Sequence, residues 1–355
     1  MDRCRKLDAS DAFPSPTASS GGAATRRART SSTTARRRCG RPPRPESAMS
    51  DGTKIEWTDA TWNPITGCSV VSPGCTNCYA MHLAGTRMKN HPSRIGLTDA
   101  SKAGPVWNGA LRFNQEWLEQ PLRWRKPRMI FVCAHGDLFH ESAPDAWIDQ
   151  VFDVMARAPQ HRFQVLTKRA QRMRDYLSRF HPADDPRGPG ASGFITRDGL
   201  PVAEREGALF RADRWPLPNV WLGVSVEDQT RAQERVPPLL QSPAAVRWIS
   251  AEPLLGPLDL TRVEVRLGER SREQIDSLRA RSGLDFAGTE RPALDWIIAG
   301  GESGPNARPS HPDWFRSLRD QCVAAEVPFL FKQHGDWIGF IEAQQEPYWQ
   351  RADGE

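Results

Sequence analysis

At 355 residues, with 38% hydrophobic content and 13 Trp, the chain can bury a large core, which excludes a wholly disordered or fibrous protein. No apolar run is long enough to span a bilayer, so no transmembrane helix is expected. The net charge of +5 is unevenly placed: residues 1–48 hold eleven basic and four acidic residues (+7), and the remainder, at −2, gives no bulk electrostatic argument for nucleic acid.

In chain order, the first segment is a basic tail. Residues 1–48 are rich in Arg, Ser, Thr, Ala and Pro, cannot offset the entropy of ordering, and are expected to be disordered. Met49 is the expected true start, which makes 1–48 an upstream extension and 49–355 a single domain. A first strand near Trp62–Thr66 leads into a loop carrying Cys68, Cys75 and Cys78. Short apolar runs follow at Met129–Ala134, Phe163–Thr167, Val220–Ser225, Val246–Ser250, Trp296–Ala299 and Pro328–Lys332. Near-continuous hydrophobicity of this length suits strands buried on both faces. Helices are predicted at Pro144–Ala158, Ala170–Arg179 and Pro312–Ala325; the last has an apolar stripe of Trp314, Phe315, Leu318, Cys322 and Val323. Two stretches, 181–219 and 261–292, break the rhythm and read as surface insertions. The fold class is therefore α/β: a parallel (βα)-repeat, read as a partial TIM-type barrel of six or seven strands.

In such sheets the ligand site lies at the carboxyl ends of the strands. Those ends carry His135-Gly136-Asp137, Thr167-Lys168-Arg169, Ser225-Val226-Glu227, Glu252, Gly300-Gly301-Glu302 and Lys332-Gln333-His334. Asp137, Lys168, Ser225, Glu252, Gly300, Gly301 and Glu302 are the candidate binding residues. No catalytic residue is singled out.

The seven cysteines do not resemble a disulfide framework and fit a reducing cytoplasm. Cys133, in an apolar strand, and Cys322, on a helical stripe, read as core. Cys68, Cys75 and Cys78 lie within eleven residues on a segment broken by Pro and Gly, so they can wrap one soft metal centre. Three ligands fall short of a closed structural zinc or an ordinary cluster, both of which take four. The readings are a four-iron cluster with one iron unligated by protein, a zinc completed by His82 one helical turn beyond Cys78, incidental thiols, or a disulfide pair. A divalent-metal hydrolase using Asp137, Glu252 and Glu302 is a further alternative.

Asn63-Pro64, Gly67-Cys68, Gly74-Cys75 and Cys78-Tyr79-Ala80 resemble the cluster signature of the radical S-adenosylmethionine superfamily, closest to relatives of spore photoproduct lyase. With Ile55-Glu56-Trp57-Thr58, Gly223–Glu227 and Trp296–Ser303, the chain resembles a bacteriophage and prophage family of three-cysteine, radical-SAM-like proteins. The six residues between Cys68 and Cys75 are a longer spacing than is usual in the superfamily, and Asn77 replaces a common aromatic. The resemblance implies a [4Fe-4S] cluster on Cys68, Cys75 and Cys78 whose free iron chelates S-adenosylmethionine. It implies cofactor contacts from Asp137 and Gly300–Glu302, one-electron cleavage to a 5′-deoxyadenosyl radical, a nucleotide or nucleic-acid substrate and a separately encoded partner protein. The rival is a Cys3His zinc protein that binds DNA or a partner without catalysis.

Overall fold

The computed structural model describes residues 53, 55–182, 195–197, 200–201, 215–266, 272–279, 292–304, 306–340 and 348–351. The basic tail, expected at 1–48, and most of the first insertion lie outside the described residues.

Seven strands form one sheet: β1 (Ala60–Trp62), β2 (Met129–Val132), β3 (Arg162–Thr167), β4 (Val220–Ser225), β5 (Val246–Ala251), β6 (Trp296–Gly300) and β7 (Phe329–Gln333). They are all parallel and lie side by side in chain order, making a mixed α/β fold around a half-barrel sheet. The six apolar runs read from the sequence are β2 to β7. The first strand is shorter than expected: Ile65–Thr66 leaves the sheet to pair antiparallel with Arg112–Phe113.

Alternation along each strand divides the core in two. Ile130 and Val132 of β2, Phe163 and Val165 of β3, and Ile249 and Ala251 of β5 face the helices. Phe131, Trp248 and Ile298 point to the other face, where they pack with Trp57, Leu166, Trp221 and Trp296. Trp248 lies across Gly223 of β4, and a Cβ there would strike the indole. This second cluster lines that side of the sheet with aromatic rings.

Apart from the single turn Gln115–Leu118, the α-helices among the described residues are α1 (Tyr79–Gly85), α2 (Asp145–Arg157), α3 (Ala170–Leu177), α4 (Gln229–Gln241) and α5 (Pro312–Ala324). Helix α2 buries Ile148, Val151, Phe152 and Met155, with an acid in its first turn and a base in its last, as the helix dipole favours. Helix α4 was not legible in the sequence because Pro237 and Pro238 sit inside it. It starts at Asp228, an N-cap whose carboxylate accepts the Arg231 N–H at 2.8 Å.

The strict βα rhythm does not hold throughout. Between β5 and β6 the described residues contain a hairpin, Val263–Arg266 with Arg272–Ile275, and no helix. The segment 261–292 was expected to be a surface insertion, but Val263, Ile275 and Leu278 are buried in the helix-side core. The hairpin packs on α4, where Gln233 accepts the Glu264 N–H at 2.5 Å and donates to the Arg262 carbonyl at 3.0 Å. In the other insertion, Phe180–Pro182, Ile195–Arg197 and Leu200–Pro201 form a three-stranded antiparallel sheet. Among the described residues no helix is long and apolar enough to cross a membrane.

Candidate functional site

The chain leaves β1 with its direction fixed by β2. Asn63 Oδ1 accepts the His135 N–H at 2.9 Å, Cys133 N–H donates to Trp62 O at 2.7 Å, and Gly67 N–H donates to His135 O at 3.2 Å. Gly67 has φ +98° and lies against the Ala110 carbonyl, so only glycine fits there. The loop then arches over the carboxyl ends of the strands. Cys68, Cys75 and Cys78 all line one cavity of about 440 Å³, floored by Trp57, Phe131 and Leu166.

Three side chains, one from each of three strand ends, brace this loop. After β3, Arg169 donates through Nη1 to Cys68 Sγ at 3.3 Å and through Nη2 to Ser69 Oγ at 2.7 Å. Past β4, Glu227 accepts the Gly74 N–H at 3.3 Å. After β6, Glu302 accepts from Asn77 Nδ2 at 2.9 Å. Asn77 stands where the resembled motif has an aromatic, and here it fastens the Cys75–Cys78 turn.

Each brace is itself held by charge. Asp137 takes the Phe139 N–H (3.0 Å) and Thr167 Oγ1 (2.7 Å) on Oδ1, and the Lys168 N–H (3.1 Å) and Arg169 Nη1 (3.2 Å) on Oδ2. Both oxygens are therefore used within the chain, and Asp137 orients Arg169. Burial opposes the Arg169 charge, yet Asp137, Cys68 and Glu141 around it hold its pKa above the usual value. Glu227 is wholly buried between Lys168 Nζ at 3.3 Å and Arg235 Nη1 at 2.9 Å. Burial would raise its pKa, but Lys168 and Arg235 bring it below the ordinary carboxylate value. Glu302 accepts the Arg308 N–H at 2.9 Å, Nε at 2.8 Å and Nη2 at 2.6 Å. Its pKa too is lowered: hydrogen bonds from Arg308 and Asn77 outweigh burial.

Of the candidate residues, Asp137, Lys168, Ser225, Glu252, Gly301 and Glu302 line the same cavity as the cysteines. Gly300 does not; it lies against the Glu252 carboxylate, and Gly301 against the His334 carbonyl, so both glycines serve close packing. Glu252 and Lys332 face each other at 3.0 Å, only partly buried, and are the polar pair left open to an occupant. Asp137 and Glu302 are already committed to arginines, and among the described residues no three His, Cys, Asp or Glu side chains are grouped to hold a metal ion. His82 is exposed on α1 and does not line the cavity. The residues that sequence reasoning missed are Asn77 and Arg308, which lack any local motif, and the bracing roles of Arg169 and Glu227.

The thiols are desolvated. Burial pushes Cys68 up to about 12, with Asp137 adding to the effect and Arg169 opposing it, and burial also raises Cys78. Cys133 borders the cavity too but belongs to the helix-side core, and burial likewise pushes it up to about 12. Cys322 is buried on α5.

No curated protein and no solved structure matches the chain. One family model does, described as Protein of unknown function (DUF5131), and its match over residues 52–354 takes in the whole sheet, the cysteine loop and every brace; the chain belongs to that family.

Proposed function

We propose that this protein is a radical S-adenosylmethionine-type iron–sulfur enzyme built on a partial TIM-type barrel. The observation that carries the reading is the convergence of Cys68, Cys75 and Cys78 on one cavity at the carboxyl ends of a parallel sheet in sequential order. The donor set suits a cluster: among the described residues the cavity lining has three thiols, no imidazole, and a polar pair, Glu252 and Lys332. A multi-iron cluster offers each thiolate its own iron, so its ligands need not crowd around one point as zinc ligands must. The zinc alternative would draw its fourth ligand from His82, which is exposed and does not line the cavity.

Bound there, the cluster and S-adenosylmethionine would supply reductive cleavage of a carbon–sulfur bond; the protein supplies placement. Cys68, Cys75 and Cys78 would hold the cluster, and the two buried salt bridges to Arg169 and from Glu227 fix the loop that carries them. The Trp57, Phe131 and Leu166 floor excludes water. Glu252 and Lys332 can receive the ammonium and carboxylate of a zwitterionic ligand. A nucleotide or nucleic-acid substrate, a separately encoded partner and a cytoplasmic setting belong to the same reading, on the strength of the motif resemblance.

The test is anaerobic purification of the full chain with iron, sulfide and zinc assays and low-temperature EPR. About four irons per chain are expected, with a reduced signal that shifts on adding S-adenosylmethionine. Cys68→Ala, Cys75→Ala and Cys78→Ala should each lose iron while His82→Ala keeps it. One tightly held zinc, with no iron after reconstitution, would overturn the reading.

A further inference from the structure

Arg94 is a buried charge without a counter-charge. It is 1% exposed, and among the described residues no carboxylate pairs with it: the ionisable side chains around its guanidinium are His135, Tyr79 and the like-charged Arg112. The other two buried arginines, Arg169 and Arg235, each sit on a buried carboxylate. Nη1 of Arg94 donates to Ser93 O at 3.1 Å and Ser93 Oγ at 2.8 Å, Nη2 to His135 Nδ1, and Nε has no partner. Burial lowers its pKa to about 10, so it remains a cation at neutral pH. An uncompensated charge is among the costliest groups to bury, and folds retain one where something negative answers it.

Its position says what that something is. The Ser93 carbonyl accepts the Thr66 hydroxyl at 2.7 Å, two residues before Cys68. The His135 carbonyl accepts the Gly67 N–H at 3.2 Å, one residue before Cys68. Tyr79, directly after Cys78, packs its ring on His135 with centroids 5.9 Å apart. Arg94 is thus buried behind both ends of the cysteine loop, outside the cavity lining. A metal–thiolate centre on three cysteines is net negative and becomes more so on reduction.

We propose that Arg94 is the fixed counter-charge of an anionic metal–thiolate centre held by Cys68, Cys75 and Cys78. It stabilises the loaded site and favours the reduced state. Arg169, although it touches Cys68, is balanced by Asp137 and Glu141 and has no net charge to offer. Arg94 acts through space, as a positioning charge. The inference rests on the cluster reading above.

The experiment compares wild type with Arg94→Met, Arg94→Gln and Arg94→Lys in the full chain, with and without iron and sulfide reconstitution. Thermal unfolding of loaded and cluster-free protein is measured beside an EPR-monitored titration with a one-electron chemical reductant. The rise in Tm on loading should be smaller in both neutral variants than in wild type, and their midpoint potential lower. Arg94→Lys should match wild type in both. Neutral variants that lower the Tm of both forms equally and keep the wild-type midpoint would make Arg94 a packing residue only. Wild type that takes up no iron would instead overturn the cluster reading itself. Arg94→Gln, which can still bond His135, covers the case in which Arg94→Met does not fold.

Discussion

Glu302→Gln tests how the cysteine loop is held. The native carboxylate, 6% exposed, accepts four hydrogen bonds, from Asn77 and three donors of Arg308. Glutamine keeps the shape but loses the charge and turns one acceptor into a donor that faces other donors. Hydrogen bonds to a charged group are worth about 1.5–3 kcal/mol each, and the 33% exposure of Arg308 screens its share, so a net loss of about 2–3 kcal/mol is expected. For a domain this large that lowers Tm by roughly 5 °C. There is a pH signature as well. Because the folded pKa of Glu302 is held below the ordinary 4.5, its contribution is complete above that pH and fades as pH falls through the folded value. The gap between wild type and variant should therefore close in acid. Thermal unfolding by circular dichroism across pH 3–7 checks both points, and iron release to a chelator from the reconstituted variant should be faster because Asn77 loses its anchor. A variant melting within about 1 °C of wild type at pH 7, with the same acid profile, would refute the reasoning.

Gly223→Val drives a branched side chain into the Trp248 indole and should cost about 1–3 kcal/mol or more, seen as a lower urea midpoint and a changed near-ultraviolet spectrum; an unchanged midpoint would mean the aromatic cluster yields freely. His135 is pulled down to about 4 by burial and by Arg94, so the unfolded chain takes up a proton near pH 6.5 that the folded chain refuses. Stability should fall as pH drops from 6.5 towards 4, and His135→Gln, which still accepts from Arg94, should flatten that slope in urea titrations; an unaltered slope would assign it to other groups. Glu227→Gln strips the partner from two cations and should destabilise by about 3–5 kcal/mol, measured by chemical denaturation.

Much of the sheet is legible in the chain because β2 to β7 are buried on both faces and read as unbroken apolar runs. What the runs cannot reveal is which residues cover them. Val263 and Ile275 belong to a short hairpin that also carries Glu264, Arg272 and Glu273, so it resembles surface until its position against α4 is known. Pro237 and Pro238 conceal α4 in the same way. At the site, the cysteines announce themselves by spacing, and the strand-end acids by place. The division of labour among those acids is not local: Asp137 and Glu302 look like free ligands in sequence, and only the partners Arg169 and Arg308 show them to be spent. Arg94 is unreadable from sequence, because a buried cation is defined by the carboxylate that is missing.

The braces on the cysteine loop are remote in the chain: Arg169 is 101 residues beyond Cys68, Glu227 is 153 beyond Gly74 and Glu302 is 225 beyond Asn77. During synthesis the three thiols leave the ribosome well before Arg169, Glu227 and Glu302, the groups that shape their loop. At about 5–20 residues per second, the cysteines spend many seconds unorganised and open to oxidants before β6 arrives. On the proposed cluster reading, metal loading would be a late event in the life of the chain, and a truncated product that stops short of β6 would carry all three cysteines without the Glu302 brace on their loop.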